Sequence, residues 1–375
     1  MAMPAVEGLE NVVVATTSIS EVRGQTGELL YQGYDIRELA RESSFEEVVW
    51  LLWHGELPSP SELTAFRAEL ARNRTLPTGT AALVDRLAAI PASPMVMLRM
   101  ATSRLEIEDP RASSIARPDE QAASLQLVAR FPTIVARYAR RRRGREPVEP
   151  PPNADTATAF LTMLHDQAPS QEGSHALDGL LILHADHEFN ASTFTARVIA
   201  ATLANVYASV AGAIAALSGP LHGGANARVM KMLEAIGSPG QAESYVQSLL
   251  STRQRIMGFG HRVYKVEDPR AVILRHLCQE LARQTGDATW YDIATKVAET
   301  VWNARRLYPN VDFFSAPVQH MLGIPTDLFT MVFAMSRVSG WTAHVMEQHA
   351  NNRLIRPRAA YVGPPERPYV PLSAR

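Results

Sequence analysis

Three short segments in the second half of the chain carry residue types suited to acid/base chemistry. Residues 219–226 read Gly-Pro-Leu-His-Gly-Gly-Ala-Asn, and residues 258–262 read Gly-Phe-Gly-His-Arg. Each sets a histidine among glycines, which let the backbone come close to a ligand. Residues 308–315, Tyr-Pro-Asn-Val-Asp-Phe-Phe-Ser, add an aspartate beside bulky apolar side chains. Two histidines and one carboxylate form a set of general acids and bases that suits carbon–carbon bond chemistry.

The surroundings of these three side chains indicate different roles. His222 precedes a predicted helix, whose positive end favours a neutral imidazole that can donate a hydrogen bond to a developing enolate. Asp312 is a stronger base if its apolar neighbours desolvate it. His261 is followed by Arg262 and Lys265, and such cations fit carboxylates and phosphates. A turn histidine, a solvated loop or a structural aspartate would explain each residue alone, and their combination favours chemistry.

A fourth segment, His184-Ala185-Asp186-His187-Glu188, raises the alternative of a metal site, because these side chains at short spacing can bind metal ions. On a helix, however, residues 184 and 187 share a face and residue 186 points away. No further pattern supplies a clear third and fourth ligand. We therefore expect no metal, and favour capping residues or a substrate-binding histidine. The sequence also lacks a dinucleotide fingerprint and a P-loop, which disfavours nicotinamide chemistry and nucleotide hydrolysis.

Composition limits the partners and the location. The net charge of −1 gives no general attraction for nucleic acid or for an anionic membrane. A single cysteine, Cys278, cannot form an intrachain disulfide, and the first residues show no secretion signal, so we expect a cytoplasmic protein. The apolar run 198–217 approaches the length of a membrane span. Because it includes Asn205 and Tyr207, we interpret it as a buried helix.

Helix signals dominate the elements that must position these residues. A capping box at residues 44–47 opens a predicted helix 45–54, and a second box at residues 59–62 opens another. Residues 18–36 alternate like strands, which predicts one small N-terminal β-hairpin. The sequence predicts an all-α protein apart from this hairpin. Further helices are predicted at residues 119–131, 155–164, 176–183, 192–217, 226–235, 241–254, 269–285, 291–306 and 326–348.

In their order along the chain, these segments resemble the citrate synthase family. The resemblance covers almost the whole chain, and its N-terminal part is similar to the short bacterial and archaeal members. The matching segments are residues 19–22, 30–36, 184–193, 219–226, 258–270 and 308–315, then Ser336-Arg337 and Arg356-Pro357-Arg358.

The resemblance implies the citrate synthase fold, an almost wholly helical homodimer with shared active sites. Each subunit would have a large domain, residues 1–223 and 319–375, and an inserted small domain, residues 224–318, that closes over the substrates. The implied activity is that of an acyltransferase of the tricarboxylic acid cycle. It joins acetyl-CoA to oxaloacetate and hydrolyses the thioester, and no metal or redox cofactor is implied.

The resemblance also assigns roles to matched residues. Asp312 would remove a proton from the acetyl methyl group, while His222 would hydrogen-bond the thioester oxygen. His261 would protonate the oxaloacetate carbonyl. The expected oxaloacetate-binding residues are His187, Arg270, Arg337 and, reaching in from the partner subunit, Arg356. The expected CoA-binding residues are Arg262, Lys265 and Arg306, with Arg305 as the alternative to Arg306.

Other functions remain open from the sequence. A 2-methylcitrate synthase would use propionyl-CoA with the same machinery, and one methylene in an apolar pocket is worth only about 1–3 kcal/mol. A non-catalytic binding or assembly module would be expected to lose His222, His261 or Asp312, and all three are present. A metallohydrolase built on His184, Asp186 and His187 is the third alternative.

Overall fold

Helices make up most of the chain in this computed structural model. The predicted all-α class is therefore confirmed. The structure describes residues 6–9 and 12–375. Four short 3-10 turns accompany the helices, at Glu7–Leu9, Pro239–Gln241, Thr326–Leu328 and Leu372–Ala374. In chain order the α-helices are α1 Ile36–Glu42, α2 Phe45–His54, α3 Pro60–Arg72, α4 Thr78–Ala88, α5 Pro94–Glu108, α6 Arg117–Arg142, α7 Thr156–His165, α8 Gln171–His184, α9 Ala191–Ala200, α10 Val206–Leu217, α11 Ala225–Ile236, α12 Ala242–Ser251, α13 Pro269–Thr285, α14 Thr289–Arg305, α15 Val311–Met321 and α16 Phe329–Ala350.

The predicted N-terminal hairpin is present, and a short third strand extends it. Strands β1 Ser20–Arg23, β2 Glu28–Tyr31 and β3 Tyr34–Asp35 form an antiparallel sheet in that order. Gly27 takes a φ of 69° in the turn between β1 and β2, which glycine adopts without strain. The sheet is joined to the helical body through the buried Tyr31, whose hydroxyl donates a hydrogen bond to the Asp186 carbonyl oxygen at 2.9 Å.

The two predicted capping boxes start helices where the sequence places them. In α2, Ser44 accepts the backbone N–H of Glu47 and the Glu47 carboxylate accepts the N–H of Ser44, and Gly55 ends the helix with a φ of 86°. Ser59 and Glu62 make the same pair of bonds at the start of α3. These local hydrogen bonds satisfy N–H groups that a helix start leaves without partners.

The prediction of one long helix over residues 192–217 was wrong, because the chain turns back within it. Helix α9 ends at Ala200 and α10 begins at Val206. Leu203 takes a φ of 65°, and the Asn205 side chain accepts the Ala208 N–H at 2.9 Å as the cap of α10. The two helices pack closely, since a Cβ on Gly212 would lie 2.1 Å from an Ile199 methyl carbon. In the part of the chain that the structure describes, no helix is long and apolar enough to cross a membrane.

Several helices were not predicted, and some are longer than their predicted ranges. Helices α1, α4, α5 and α15 were not predicted, and α6 continues through Pro132 to Arg142. Helix α15 matters most, because Asp312 lies in its first turn. The predicted domain boundary after residue 318 falls within α15, and the division into two domains stays a prediction.

Helix α16 runs through the core and is buried along almost its whole length. It packs against α2, α6, α8, α9 and α10. Trp341 and Arg337 are both fully or almost fully buried on it. The helix therefore carries a charged side chain, Arg337, into the interior, where it faces the candidate site.

Candidate active site

The candidate catalytic residues meet in a single cleft of about 190 Å³. Its walls come from the α8–α9 connection, the end of α10, the turn before α11, the loop before α13 with the first turn of that helix, the start of α15 and the N-terminal half of α16. Six of the predicted site residues line this cleft, together with one threonine, two asparagines, two glycines and three apolar side chains. The six are His187, His222, His261, Arg270, Asp312 and Arg337.

Asp312 is held at the N-terminal end of α15. The Asn310 side chain caps this helix by accepting the Asp312 backbone N–H at 3.1 Å. Burial raises the pKa of Asp312 to about 6, although the nearby cations Arg270 and Arg228 act in the opposite direction. A carboxylate with this pKa is ionised at neutral pH and is more basic than an exposed aspartate. The geometry therefore suits a general base.

His222 occupies a tight turn, and a hydrogen bond from Ser192 holds its imidazole in one tautomer. The Gly219 carbonyl oxygen accepts the N–H groups of His222 and Gly223, each at 3.0 Å. A Cβ on Gly223 would lie 1.9 Å from the Leu217 carbonyl oxygen, so this position requires glycine. The Ser192 N–H donates to Nε2 of His222 at 3.2 Å, which leaves the proton on Nδ1. His222 can therefore donate one hydrogen bond from Nδ1 into the cleft.

His222 is neutral for a different main reason than the sequence suggested. Burial is the largest cause that lowers its pKa, to about 4, and the charge of Arg337 adds to it. The positive N-terminal end of α11, which the sequence suggested as the cause, lies three residues later, at Ala225. The predicted neutral imidazole is thus explained chiefly by desolvation.

Ser192 is a functional residue that the sequence argument did not single out. It lies in the first turn of α9, where backbone N–H groups lack helical partners. Its hydroxyl lies 2.8 Å from Nε2 of His222 and accepts the Trp341 indole N–H at 3.1 Å. Its place at a predicted helix start was the only available signal. Ser192 thus connects α9 and α16 to the tautomer of His222.

His261 and His187 are also neutral imidazoles. Nδ1 of His261 accepts the backbone N–H groups of Val263 and Tyr264 at 3.1 and 3.0 Å, so its proton is on Nε2. Burial and then Arg270 lower the pKa of His261 to about 4. The His187 ring lies 5.4 Å from the His261 ring, and its Nε2 is 3.3 Å from the Tyr264 hydroxyl. Burial holds the pKa of His187 well below its usual value.

The loop of His261 and the helix of Asp312 are fixed to each other by backbone pairing. The Gly260 N–H donates to the Tyr308 carbonyl oxygen at 3.0 Å, and the Asn310 N–H donates to the Gly258 carbonyl oxygen at 2.9 Å. The Asn310 side-chain amide donates to the Gly260 carbonyl oxygen at 3.0 Å. Asn310 thereby bonds both segments, and the acid and the base keep a fixed separation.

Two buried arginines give the cleft its positive charge. Arg270 grips Asp268 through Nε and Nη2 at 3.0 and 2.8 Å, and although burial opposes its charge, Asp268 keeps the pKa of Arg270 above the ordinary value. Arg337 donates from Nε to the His184 carbonyl oxygen at 2.5 Å. Burial lowers the pKa of Arg337 to about 10, so it remains charged at neutral pH. With one carboxylate, three neutral imidazoles and these cations, the cleft suits an anionic ligand.

The other predicted binding residues lie outside the cleft. Arg356 is exposed on the extended C-terminal segment and lines a separate groove of about 860 Å³ with the N-terminal segment. Arg262 and Lys265 are exposed on the loop that carries His261. Arg306 stacks over the Trp302 ring at 5.2 Å. The structure does not bring these four side chains to the cleft of their own chain.

A second groove of about 310 Å³ contains cations that the sequence argument missed. Arg253 and Arg255 line it together with Arg305. Phe259 lines this groove and also packs against Phe313, with ring centroids 4.6 Å apart and the ring planes tilted by 57°, so the groove adjoins the segment that holds Asp312. None of the three arginines forms an ion pair within the described residues. The cluster joins the loop after α12, which carries Arg253 and Arg255, to Arg305 at the end of α14, and no local sequence pattern indicates this contact.

The alternative metal site is not assembled. His184 is buried and bonds the Leu180 carbonyl oxygen through Nδ1, whereas His187 faces the cleft. Asp186 faces Ser20 and His344 instead. Over residues 6–9 and 12–375, no group of three or more His, Cys, Asp or Glu side chains is arranged to hold a metal ion.

Comparison with known proteins decides the family. A family model described as "Citrate synthase, C-terminal domain" matches residues 8–358. The chain belongs to the citrate synthase family. It is 46% identical over 373 residues to citrate synthase 2 of Bacillus subtilis, with both chains covered in full. It is 39% identical to a 2-methylcitrate synthase of Shewanella oneidensis, covering 98% of this chain and 97% of the relative.

A solved citrate synthase shares the fold over the whole chain. The citrate synthase of the thermophilic archaeon Thermoplasma acidophilum is 31% identical, and each chain covers 100% of the other with a TM-score of 0.92. That structure is a ternary complex with carboxymethyl coenzyme A and oxaloacetate. The citrate synthase fold predicted from the sequence is therefore confirmed, and the chain is an enzyme of this family.

Proposed function

We propose that this enzyme condenses acetyl-CoA with oxaloacetate and hydrolyses the resulting thioester to citrate and CoA. The observation that carries the proposal is the convergence of Asp312, His222 and His261 on one cleft that also holds Arg270 and Arg337. A non-catalytic module would have no need of a base and two oriented imidazole donors at one place. The names of the relatives, citrate synthases among them, support the same function.

Proton removal from the acetyl methyl group is the first step. Asp312 accepts this proton, and its raised pKa makes it a stronger base for a weakly acidic C–H. Negative charge develops on the thioester oxygen. His222 donates a hydrogen bond to this oxygen from Nδ1, because Ser192 occupies Nε2. The product of the step is an enol or enolate bound between the two side chains.

Carbon–carbon bond formation is the second step. The enol carbon attacks the ketone carbon of oxaloacetate, and the ketone oxygen takes a proton from Nε2 of His261. Arg270, Arg337 and His187 bind the two carboxylates and orient the ketone. Guanidinium suits this task because it keeps its charge and can bond both oxygens of a carboxylate. Water then attacks the carbonyl carbon of the thioester and the C–S bond breaks. One proton of the water goes to the sulfur, so that CoA leaves as the thiol, and the other is lost to solvent as the third carboxylate of citrate forms.

The CoA phosphates would be held by cations outside the cleft. Arg262 and Lys265 lie on the loop that carries His261, and Arg305 lies in the groove beside Phe259. Arg306 adjoins this groove in sequence and stacks on Trp302. These exposed cations can meet a phosphate at little desolvation cost, because solvent still reaches them.

We also propose a homodimer in which Arg356 completes the neighbour's site. Arg356 lies on an exposed C-terminal segment and does not reach the cleft of its own chain. In a two-fold dimer, such a segment can contribute to the partner subunit. A third cation would then join Arg270 and Arg337 around the dianionic substrate.

The proposal is tested by release of CoA thiol at fixed oxaloacetate, with acetyl-CoA and propionyl-CoA compared. We expect higher kcat/KM for acetyl-CoA and no release without oxaloacetate. A higher kcat/KM for propionyl-CoA would instead support 2-methylcitrate synthase, the second candidate, which the Shewanella oneidensis relative favours. Oxaloacetate-independent release, or none with either thioester, would contradict both.

A further inference from the structure

Asp186 is a fully buried carboxylate directly before His187, and the proposed chemistry gives it no role. Its Oδ2 accepts hydrogen bonds from the Ser20 hydroxyl at 2.5 Å, the Glu188 N–H at 3.1 Å and Nε2 of His344 at 3.3 Å. Burying a carboxylate is costly unless such partners compensate it. The side chain has no exposed surface. A buried charge with three directed donors beside a ligand-facing histidine calls for a functional explanation.

His344 is itself oriented by a second buried charge. Arg197 is 4% exposed and lies 3.1 Å from Nδ1 of His344 through Nη1. A guanidinium N–H can only donate, so Nδ1 accepts and the imidazole proton is on Nε2, facing Asp186. Arg197 in turn pairs with Glu347 at 2.5 Å and donates to Gln348 at 3.2 Å. The tautomer of His344 is thus set by Arg197.

The chain of polar contacts continues to the N-terminal segment. Glu347 accepts the Ser18 backbone N–H at 2.8 Å, and Ser18 lies just before β1, which carries Ser20. The groove that contains Arg356 is lined by Ser18, Arg197 and Glu347. A continuous set of side chains therefore runs from the base of the C-terminal segment to the residue before His187.

The backbone at Asp186 is fixed as firmly as its side chain. The Tyr31 hydroxyl donates to the Asp186 carbonyl oxygen at 2.9 Å and lies 3.1 Å from the Asp186 N–H, which donates to it. On the other side lies Gly340 of α16, where a Cβ would be 2.5 Å from Oδ1 of Asp186 and 2.4 Å from the Ala185 carbonyl oxygen. The segment is pressed against the helix that carries Arg337.

We propose that Asp186 is the positioning residue for His187, and that His344 and Arg197 hold Asp186 in place for this task. The inference rests on the proposed function, because it takes oxaloacetate as the ligand of His187. Asp186 touches no substrate in this account. It fixes its own backbone and therefore the position of the next residue, His187, so that the His187 imidazole meets the ligand in one orientation.

Charge and position predict opposite effects, which makes the inference testable. Asp186 is the acidic group that most favours the charged form of the buried Arg337. Removing its charge makes the cleft more positive, and this change alone would strengthen binding of a dianion. Misplacing His187 would weaken that binding. A weaker affinity for oxaloacetate after loss of the charge therefore indicates positioning.

The primary variant is Asp186→Asn, which keeps the shape of the side chain. We expect KM for oxaloacetate to rise roughly ten- to hundred-fold, with a smaller change in KM for acetyl-CoA. The matched control is Asp109→Asn, because Asp109 is also buried and bonds the Tyr207 hydroxyl at 2.8 Å but does not line the cleft. An equal rise of KM in the control, or an unchanged or lower KM in Asp186→Asn, would overturn the proposal.

Variants of His344 and Ser20 test whether these residues hold Asp186 in place. His344→Gln can keep an N–H donor near the position of Nε2, whereas His344→Leu removes it. We expect Leu to raise KM for oxaloacetate as Asp186→Asn does, and Gln to restore most of the affinity. Ser20→Ala removes a single donor to Asp186 and gives a few-fold rise, which keeps the test available if His344→Leu does not fold. Equal KM values for Gln, Leu and the native enzyme would contradict this role of His344.

A double-mutant cycle with His187→Ala separates positioning from a general structural effect. If Asp186 acts through His187, Asp186→Asn adds little to the loss that His187→Ala causes. Full additivity would overturn the inference. Calorimetry with oxaloacetate alone measures the same affinities without turnover. A native enzyme that binds oxaloacetate but releases no CoA would contradict the proposed function, while the cycle in binding free energy would still decide the inference.

Discussion

At the scale of single residues, the chemistry depends on opposing influences on one carboxylate. Asp312 lies in the first turn of α15, where the helix end favours an ionised side chain by about 0.3–1 kcal/mol. The cations Arg270 and Arg228 act in the same direction. Burial acts against them and dominates, so the pKa rises to about 6. The balance leaves Asp312 ionised at neutral pH and yet more basic than an exposed aspartate.

Asp312→Asn should keep the fold and remove proton abstraction. An amide has nearly the same shape but cannot accept the methyl proton, and general bases contribute about 10²–10⁴-fold. We expect kcat to fall by that factor, measured as CoA release, with oxaloacetate affinity nearly unchanged by calorimetry. A variant that retains near-native turnover would exclude Asp312 as the base.

The acid side of the pH profile should report Asp312. The base must be ionised, so lowering the pH through about 6 protonates it and reduces log(kcat/KM) with a slope approaching one. His222 and His261 stay neutral over this range because their pKa values are about 4. Kinetics between pH 5 and 8, with protein stability verified at each pH, measure the profile. A native profile that is flat from pH 7 to pH 5 would contradict the assignment.

The residue types that do chemistry were predictable from sequence, and their partners were not. Histidine in a glycine turn is a local feature, whereas the Ser192 N–H that sets the tautomer of His222 is 30 residues away. The same holds for Asp186, whose partners Ser20 and His344 are more than 150 residues away. Only tertiary packing brings such groups together, and a single sequence contains no local trace of it.

At the scale of secondary structure, the cleft is built from element ends that are bonded to each other. Asn310 caps α15 and also bonds the loop that carries His261. The N-terminal turn of α9 contributes the N–H of Ser192, and α16 contributes Arg337 and Trp341. Each catalytic group therefore sits where a helix begins or a glycine turn ends, and two elements restrain it.

Variants of Asn310 separate the cap from the contact between segments. Asn310→Ala loses both bonds, and we expect the free energy of unfolding to fall by about 1 kcal/mol together with kcat. Asn310→Ser keeps a capping oxygen but loses the amide donor to the Gly260 carbonyl oxygen. We expect this variant to keep its stability and to lose activity. Denaturant unfolding and CoA release measure the two effects, and full activity in both variants would contradict the role of Asn310.

Among local hydrogen-bond patterns, the capping box predicted helix starts, whereas the single-residue caps Asp35 of α1 and Asn310 of α15 did not. The capping boxes of α2 and α3 are self-contained over four residues, and both were predicted correctly. Helices α4 and α5 begin without a side-chain capping bond and were missed. The break between α9 and α10 was also missed, because the apolar run continues across it and only Asn205 marks the new start.

At the scale of the whole molecule, we expect two chains to build each active site. Arg356 is exposed on its own chain and lies outside the cleft that holds Arg270 and Arg337. The sequence could suggest that Arg356 contributes to the partner's site only through the family resemblance. The physical reason is that a dimer contact leaves no periodic pattern in an extended segment.

Subunit complementation tests the shared site. Homodimers of Asp312→Ala and of Arg356→Ala should each be nearly inactive, whereas a mixed dimer contains one site with both residues intact. Random reassortment of equal amounts should recover up to about a quarter of native activity, because about half of the dimers are mixed and each has one intact site of two. Subunit exchange is verified by native mass spectrometry. No recovery after verified exchange would contradict the shared site.

Condensation through an enol formed by Asp312 can be followed directly by tracing the methyl protons of the acyl group into the product. Acetyl-CoA deuterated at all three methyl positions is incubated with oxaloacetate, and the products are analysed by mass spectrometry. We expect citrate that retains two deuterium atoms, formed in equal amount with CoA, and at least a hundred-fold less of this citrate with Asp312→Asn. Release of CoA with labelled acetate and no new carbon–carbon bond would contradict this mechanism.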